Sequence, residues 1–123
     1  MRYLALYKPA DTKALEAGVP PSPEEMARMG QLIEEGFRSG VLLSTEGCQP
    51  SSKGARVRQA GGKVTVTDGP FTESKELIAG FAILRASSRE EAVQEARRFL
   101  AVAGDGVSEI WQLSDYAPEP SGR

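Results

Sequence analysis

The chain has 123 residues, 40% hydrophobic and 26% charged, with a formal net charge of −2. These values suit one soluble domain and exclude a broad basic face for phosphate backbones, so no nucleic-acid partner is expected. Histidine is absent and cysteine occurs once, which removes His-based nucleophile activation and most transition-metal sites; no metal or cofactor is expected.

Alternation of Tyr3, Ala5 and Tyr7 against Leu4 and Leu6 marks a first strand with apolar groups on both faces. Lys8 and Pro9 interrupt this run, which is too short for a signal peptide or a membrane span; a cytoplasmic location without membrane contact is expected. The Pro-, Ala- and Gly-rich stretch 8–22 reads as a loop. A first helix then opens on Ser22 as N-cap, with Pro23 at its first position and Glu25 completing a capping box. Met26, Met29, Ile33 and Phe37 form its apolar stripe and Gly40 its stop.

Val41–Ser44 resumes an extended pattern, and 55–58 with 63–67 read as a hairpin around Gly61-Gly62. Gly80–Arg85 is a further strand. A second helix is capped by Ser88 with Glu91 and carries Ala92, Val93, Ala96, Phe99, Leu100 and Ala103 toward a core. Arg97 and Arg98 fall on its outer face. A last strand near Ser108–Leu113 precedes a Pro-rich tail, giving one domain over 1–117 and a disordered tail over 118–123. Two β-α-β units in this order give an antiparallel sheet with both helices on one face. The other face needs cover, and Tyr3, Tyr7 and Trp111 are the residues expected to be exposed on it. A second subunit would hide them.

Asp68-Gly69-Pro70-Phe71-Thr72-Glu73-Ser74-Lys75-Glu76, followed by Gly80-Phe81, resembles the signature of the YCII-related or DGPF family. Arg2–Tyr7, Gly40-Val41-Leu42, Glu46-Gly47, Gln49-Pro50 and Val64–Thr67 extend the resemblance over nearly the whole chain. It implies an α+β, ferredoxin-like βαββαβ fold with an inserted hairpin, paired as a dimeric α/β-barrel. It further implies a cleft near the signature loop and a bacterial setting beside sigma factors. Related proteins place a His and an Asp together in that cleft; with no histidine, this chain lacks the pair.

Asp68-Gly69-Pro70 reads first as a turn, with the Asp68 carboxylate accepting backbone N–H bonds and Phe71 anchoring the loop. The functional alternative makes Asp68 a catalytic carboxylate at the lip of the cleft, with Glu46, Phe71, Glu73, Lys75 and Glu76 as ligand-contacting candidates. Cys48 reads as a packing residue. Two roles therefore compete. One is a homodimeric binding or accessory module for a small molecule; the other is a cofactor-independent enzyme acting through carboxylates.

Overall fold

The computed structural model describes residues 1–71 and 76–115. Its elements are β1 (Arg2–Pro9), a short α1 (Lys13–Glu16), α2 (Pro23–Ser39), β2 (Leu42–Gly47), β3 (Ala55–Ala60), β4 (Lys63–Asp68), β5 (Gly80–Arg85), α3 (Arg89–Ala103) and β6 (Gly106–Gln112). Strands β2, β5, β1 and β6 lie in that order in one antiparallel sheet, while β3 and β4 form a separate two-stranded ribbon. This is the ferredoxin-like α+β order, with the ribbon inserted between β2 and β5.

Both long helices begin as their sequences require. Ser22 Oγ accepts the Glu25 amide at 3.1 Å, and Ser88 Oγ accepts the Glu91 amide at 3.2 Å. Gly40 ends α2 with φ at 83°. The stretch read as a loop contains one helical turn: Asp11 Oδ1 accepts the Lys13 amide at 3.0 Å and starts α1. The signal was a short Asp-led turn, easily lost among Pro and Gly.

The register decides which face each strand residue takes. Tyr3 lies opposite Leu84 and Gln112, Ala5 opposite Ala82 and Ile110, and Tyr7 opposite Gly80 and Ser108. Tyr3, Leu84, Ala86 and Ala92 form the buried cluster, with Ala5, Val41, Leu42, Ala82 and Ile110 packed against it. Tyr3 and Tyr7 are therefore on the helix side, not on the open face where they were expected. Tyr3 is 2% exposed, and the Tyr7 ring meets Phe99 of α3 edge-on at 5.1 Å. The physical reason lies in α3, which offers the small side chains Ala92 and Ala96 to the sheet. Large rings fill the space that alanines leave.

The opposite face carries Leu4, Leu6 and Lys8 from β1, Phe81 and Ile83 from β5, and Val107, Glu109 and Trp111 from β6. No element among the described residues covers it. Trp111 is 58% exposed there, as the sequence led us to expect. The stripe of α2 is also only partly covered, since Met26 and Phe37 remain about half exposed. Arg98 ties α3 to α2 through Glu35 at 3.4 Å and also meets Glu95 of its own helix.

Candidate functional site

The signature turn sits where the ribbon rejoins the sheet, and it is held by the 48–54 loop. The Gly69 amide donates to Gly54 O at 3.1 Å, the Phe71 amide donates to Ser51 Oγ at 2.9 Å, and Pro70 has no amide hydrogen. These bonds account for the N–H groups of residues 69–71 without Asp68. Among the described residues the Asp68 carboxylate makes no hydrogen bond or ion pair, so the turn does not use it as an acceptor. Glycine at 69 has a different cause: a Cβ there would lie 1.7 Å from Ser51 O.

Ser51 is in turn held by Glu16. Its amide donates to Glu16 Oε1 at 2.8 Å and its hydroxyl donates to Glu16 Oε2. The Ser51 hydroxyl bond, then the amide bond, holds the Glu16 carboxyl below its ordinary range. A relay thus runs from α1 through Ser51 to Phe71. Neither Glu16 nor Ser51 was singled out in the sequence; both stand in loop-like stretches where nothing in the spacing links them.

Around this relay lies a cleft of about 500 Å³, lined by Leu15, Glu16, Cys48, Pro50, Arg56, Phe71 and others. The Arg56 guanidinium stands 4.5 Å from the Phe71 ring centre, a cation–π contact. Phe71 and Glu76 both line this cleft, whereas Asp68 and Glu46 do not. Glu46 is on β2 opposite Phe81, on the open side of the sheet. Glu73 and Lys75 lie outside the described residues. Cys48 is exposed at the cleft and is not a packing residue, which corrects the expectation from its sequence.

Glu76 also borders a second hollow of about 480 Å³ at the end of the open sheet face, with Lys8, Val107 and Glu109. Lys8 Nζ reaches Glu109 at 3.2 Å and Glu76 at 3.4 Å, and the Trp111 indole N–H donates to Glu109 at 3.2 Å. The Lys8 bond, then the Trp111 bond, lowers the Glu109 pKa; the same Lys8–Glu109 bond chiefly raises that of Lys8. A sequence signal for this cluster existed. Lys8 and Glu109 each interrupt an apolar alternation, Leu4-Leu6-Lys8 and Val107-Glu109-Trp111. On the helix side, burial and then the Asp105 charge raise the Tyr7 pKa, and its hydroxyl donates toward Asp105 O at 3.3 Å. Among the described residues no group of three or more Cys, Asp or Glu is placed to hold a metal ion.

The family model of the YCII-related domain matches residues 1–115. The chain belongs to the YCII-related family. An uncharacterised protein of Rhizobium meliloti (strain 1021) is 36% identical over 70 residues, which span 56% of this YCII-related chain and 56% of that relative. The alignment thus covers about half the length of that relative. Among solved structures, the 5-chloro-2-hydroxyhydroquinone dehydrochlorinase of Burkholderia phenoliruptrix AC1100, in complex with 2,5-dihydroxybenzoquinone, is similar at 14% identity and a TM-score of 0.45. The match covers 93% of this chain and 94% of that one. No helix among the described residues is long and apolar enough to cross a membrane.

Proposed function

We propose that this YCII-related chain is a homodimeric module that binds a small organic molecule in the cleft beside the signature turn. The cleft itself carries the reading. Its volume of about 500 Å³ suits a small ligand, and its wall joins apolar Leu15, Pro50, Phe71 and Ile78 to polar Ser51, Lys53 and Glu76. Such a lining fits a compact molecule with an apolar body and a polar end.

A proton-donating carboxylic acid is disfavoured by the state of two of the carboxylates. Glu16 and Glu109 are both held toward the ionised form by donors, which suits an acceptor and works against a proton donor at neutral pH. Asp68, the candidate catalytic carboxylate, lines neither hollow. Dimer formation is supported by the uncovered sheet face, where Leu4, Leu6, Phe81 and Ile83 stay partly exposed beside Trp111.

The test is amide NMR mapping with a panel of small aromatic carboxylates, beginning with benzoate. Shifts should gather at Cys48–Gly54, Arg56 and Phe71 for at least one member, and Phe71→Ala should weaken that binding about tenfold or more, as loss of an aromatic anchor does. Shifts gathered elsewhere, or none across the panel, would contradict the proposal.

A further inference from the structure

Three segments of the chain meet at Ser51. Its amide donates to Glu16 Oε1 at 2.8 Å and its hydroxyl donates to Glu16 Oε2, while the same hydroxyl oxygen accepts the Phe71 amide at 2.9 Å. Its backbone takes part as well, since Ser51 O accepts the Gly54 amide at 2.9 Å and stands where a Gly69 side chain would go. The end of α1 is seated on the same loop beyond Glu16, because a Cβ on Gly18 would lie 3.7 Å from Pro50 Cγ. Leu15, Glu16, Ser51 and Phe71 all line the cleft beside the signature turn.

The direction of these bonds matters. A hydroxyl has one hydrogen to donate and two lone pairs to offer, whereas an ionised carboxylate only accepts. Ionised Glu16 therefore draws the Ser51 hydrogen to itself and leaves the oxygen's lone pairs for the Phe71 amide. Bonds to a charged acceptor are roughly twice as strong as neutral ones. Protonated, Glu16 would carry a hydrogen of its own and offer Ser51 a weaker, neutral acceptor. The other titratable groups that line the cleft are Cys48 and Lys53 of the 48–54 stretch, Arg56 of β3 and Glu76. Lys13 shares α1 with Glu16, and Asp11 precedes it. Glu16 is the one of these groups whose side chain bonds to Ser51.

We propose that Glu16 is a positioning residue for ligand binding: its charge fixes the Ser51 hydroxyl, and that hydroxyl holds Phe71 where its ring meets a small molecule in the cleft. The inference rests on the cleft reading proposed above and adds an acid-sensitive control to it. The folded Glu16 carboxyl titrates below its ordinary value of 4.5, so it is charged at neutral pH. Its hold on Phe71 lapses as pH falls through the folded value.

The test follows amide NMR shifts of the full-length, ligand-free protein against pH, in wild type, Glu16→Gln and Ser51→Ala. Glu16→Gln keeps the shape of the side chain and removes its charge. In wild type the Ser51 and Phe71 amides should move together with one midpoint below 4.5. Both movements should vanish in Glu16→Gln, and that of Phe71 should vanish in Ser51→Ala while the helical spectrum is kept. Affinity for the aromatic carboxylate that shifts the cleft is then compared between wild type and Glu16→Gln at each pH, a ratio in which the ligand's own titration cancels. Glu16→Gln should bind about fivefold more weakly or worse at neutral pH, and the ratio should return to about one below the shared midpoint. A Phe71 amide that does not follow Ser51, or that still titrates in Glu16→Gln, would overturn the proposal. Equal affinities at neutral pH would also overturn it, and would leave the cleft reading standing. Absence of binding across the whole panel would remove the cleft reading and this proposal with it, so the two failures are distinct.

Discussion

Gly69 is the residue on which the signature turn depends most, because Ser51 O occupies the place of its missing side chain. Gly69→Ala should cost about 1–3 kcal/mol, the usual range for forcing atoms into a packed site, and a denaturant melt would measure it. Asp68 beside it should behave differently. Its carboxylate has no partner among the described residues, so Asp68→Asn and Asp68→Ala should both stay within about 0.5 kcal/mol of wild type. The sequence reading makes the Asp68 carboxylate the acceptor of the turn's N–H bonds, and the Ser51 hydroxyl takes that role instead. Ser51→Ala should therefore be the costly change, at about 1–2 kcal/mol, since it leaves the Phe71 amide without its acceptor. Glu16 gives this relay a pH dependence. A carboxyl whose folded pKa is lowered stabilises the fold above its unfolded value near 4.5, and that contribution is lost as pH falls through the folded value. The stability gap between wild type and Glu16→Gln should thus be widest at neutral pH and narrow below about 4.5. A gap that stayed constant with pH would show that the Glu16 charge plays no part.

At the scale of elements, capping boxes and alternation made both long helices and all four sheet strands legible, because these signals are local. Ser88→Ala should lower stability by about 1 kcal/mol in a thermal melt, as loss of an N-cap does. Ser22→Ala should lower it less, because no residue of α2 is fully buried, whereas α3 buries Ala92 and Ala96. The facing of β1 was not legible. Its two faces are equally apolar in sequence, and only the alanines of α3, some 90 residues away, decide that Tyr3 rather than Leu4 goes inward. The candidate site was half legible for a similar reason. Phe71 and Glu76 belong to the signature itself, but Glu16, Ser51 and Arg56 reach the cleft from other segments. Tertiary proximity of that kind leaves no periodic trace.

On the scale of the whole molecule, the helices cover one side of the sheet, and no element among the described residues covers its apolar side. Lys8, Glu109 and Trp111 stand at its rim, tied by hydrogen bonds that fix their side chains before any partner arrives. Such preset polar groups around an apolar centre are the composition of a protein interface, and Glu76 borders both this rim and the cleft beside the signature turn. Trp111 is the natural anchor, being large, aromatic and exposed. Sedimentation equilibrium on wild type and Trp111→Glu tests this most directly. Wild type at micromolar concentration should sediment at twice the chain mass of 13.2 kDa, and Trp111→Glu should shift toward the single-chain mass while keeping its helical spectrum. Wild type sedimenting as a single 13.2 kDa chain at every concentration would contradict the account.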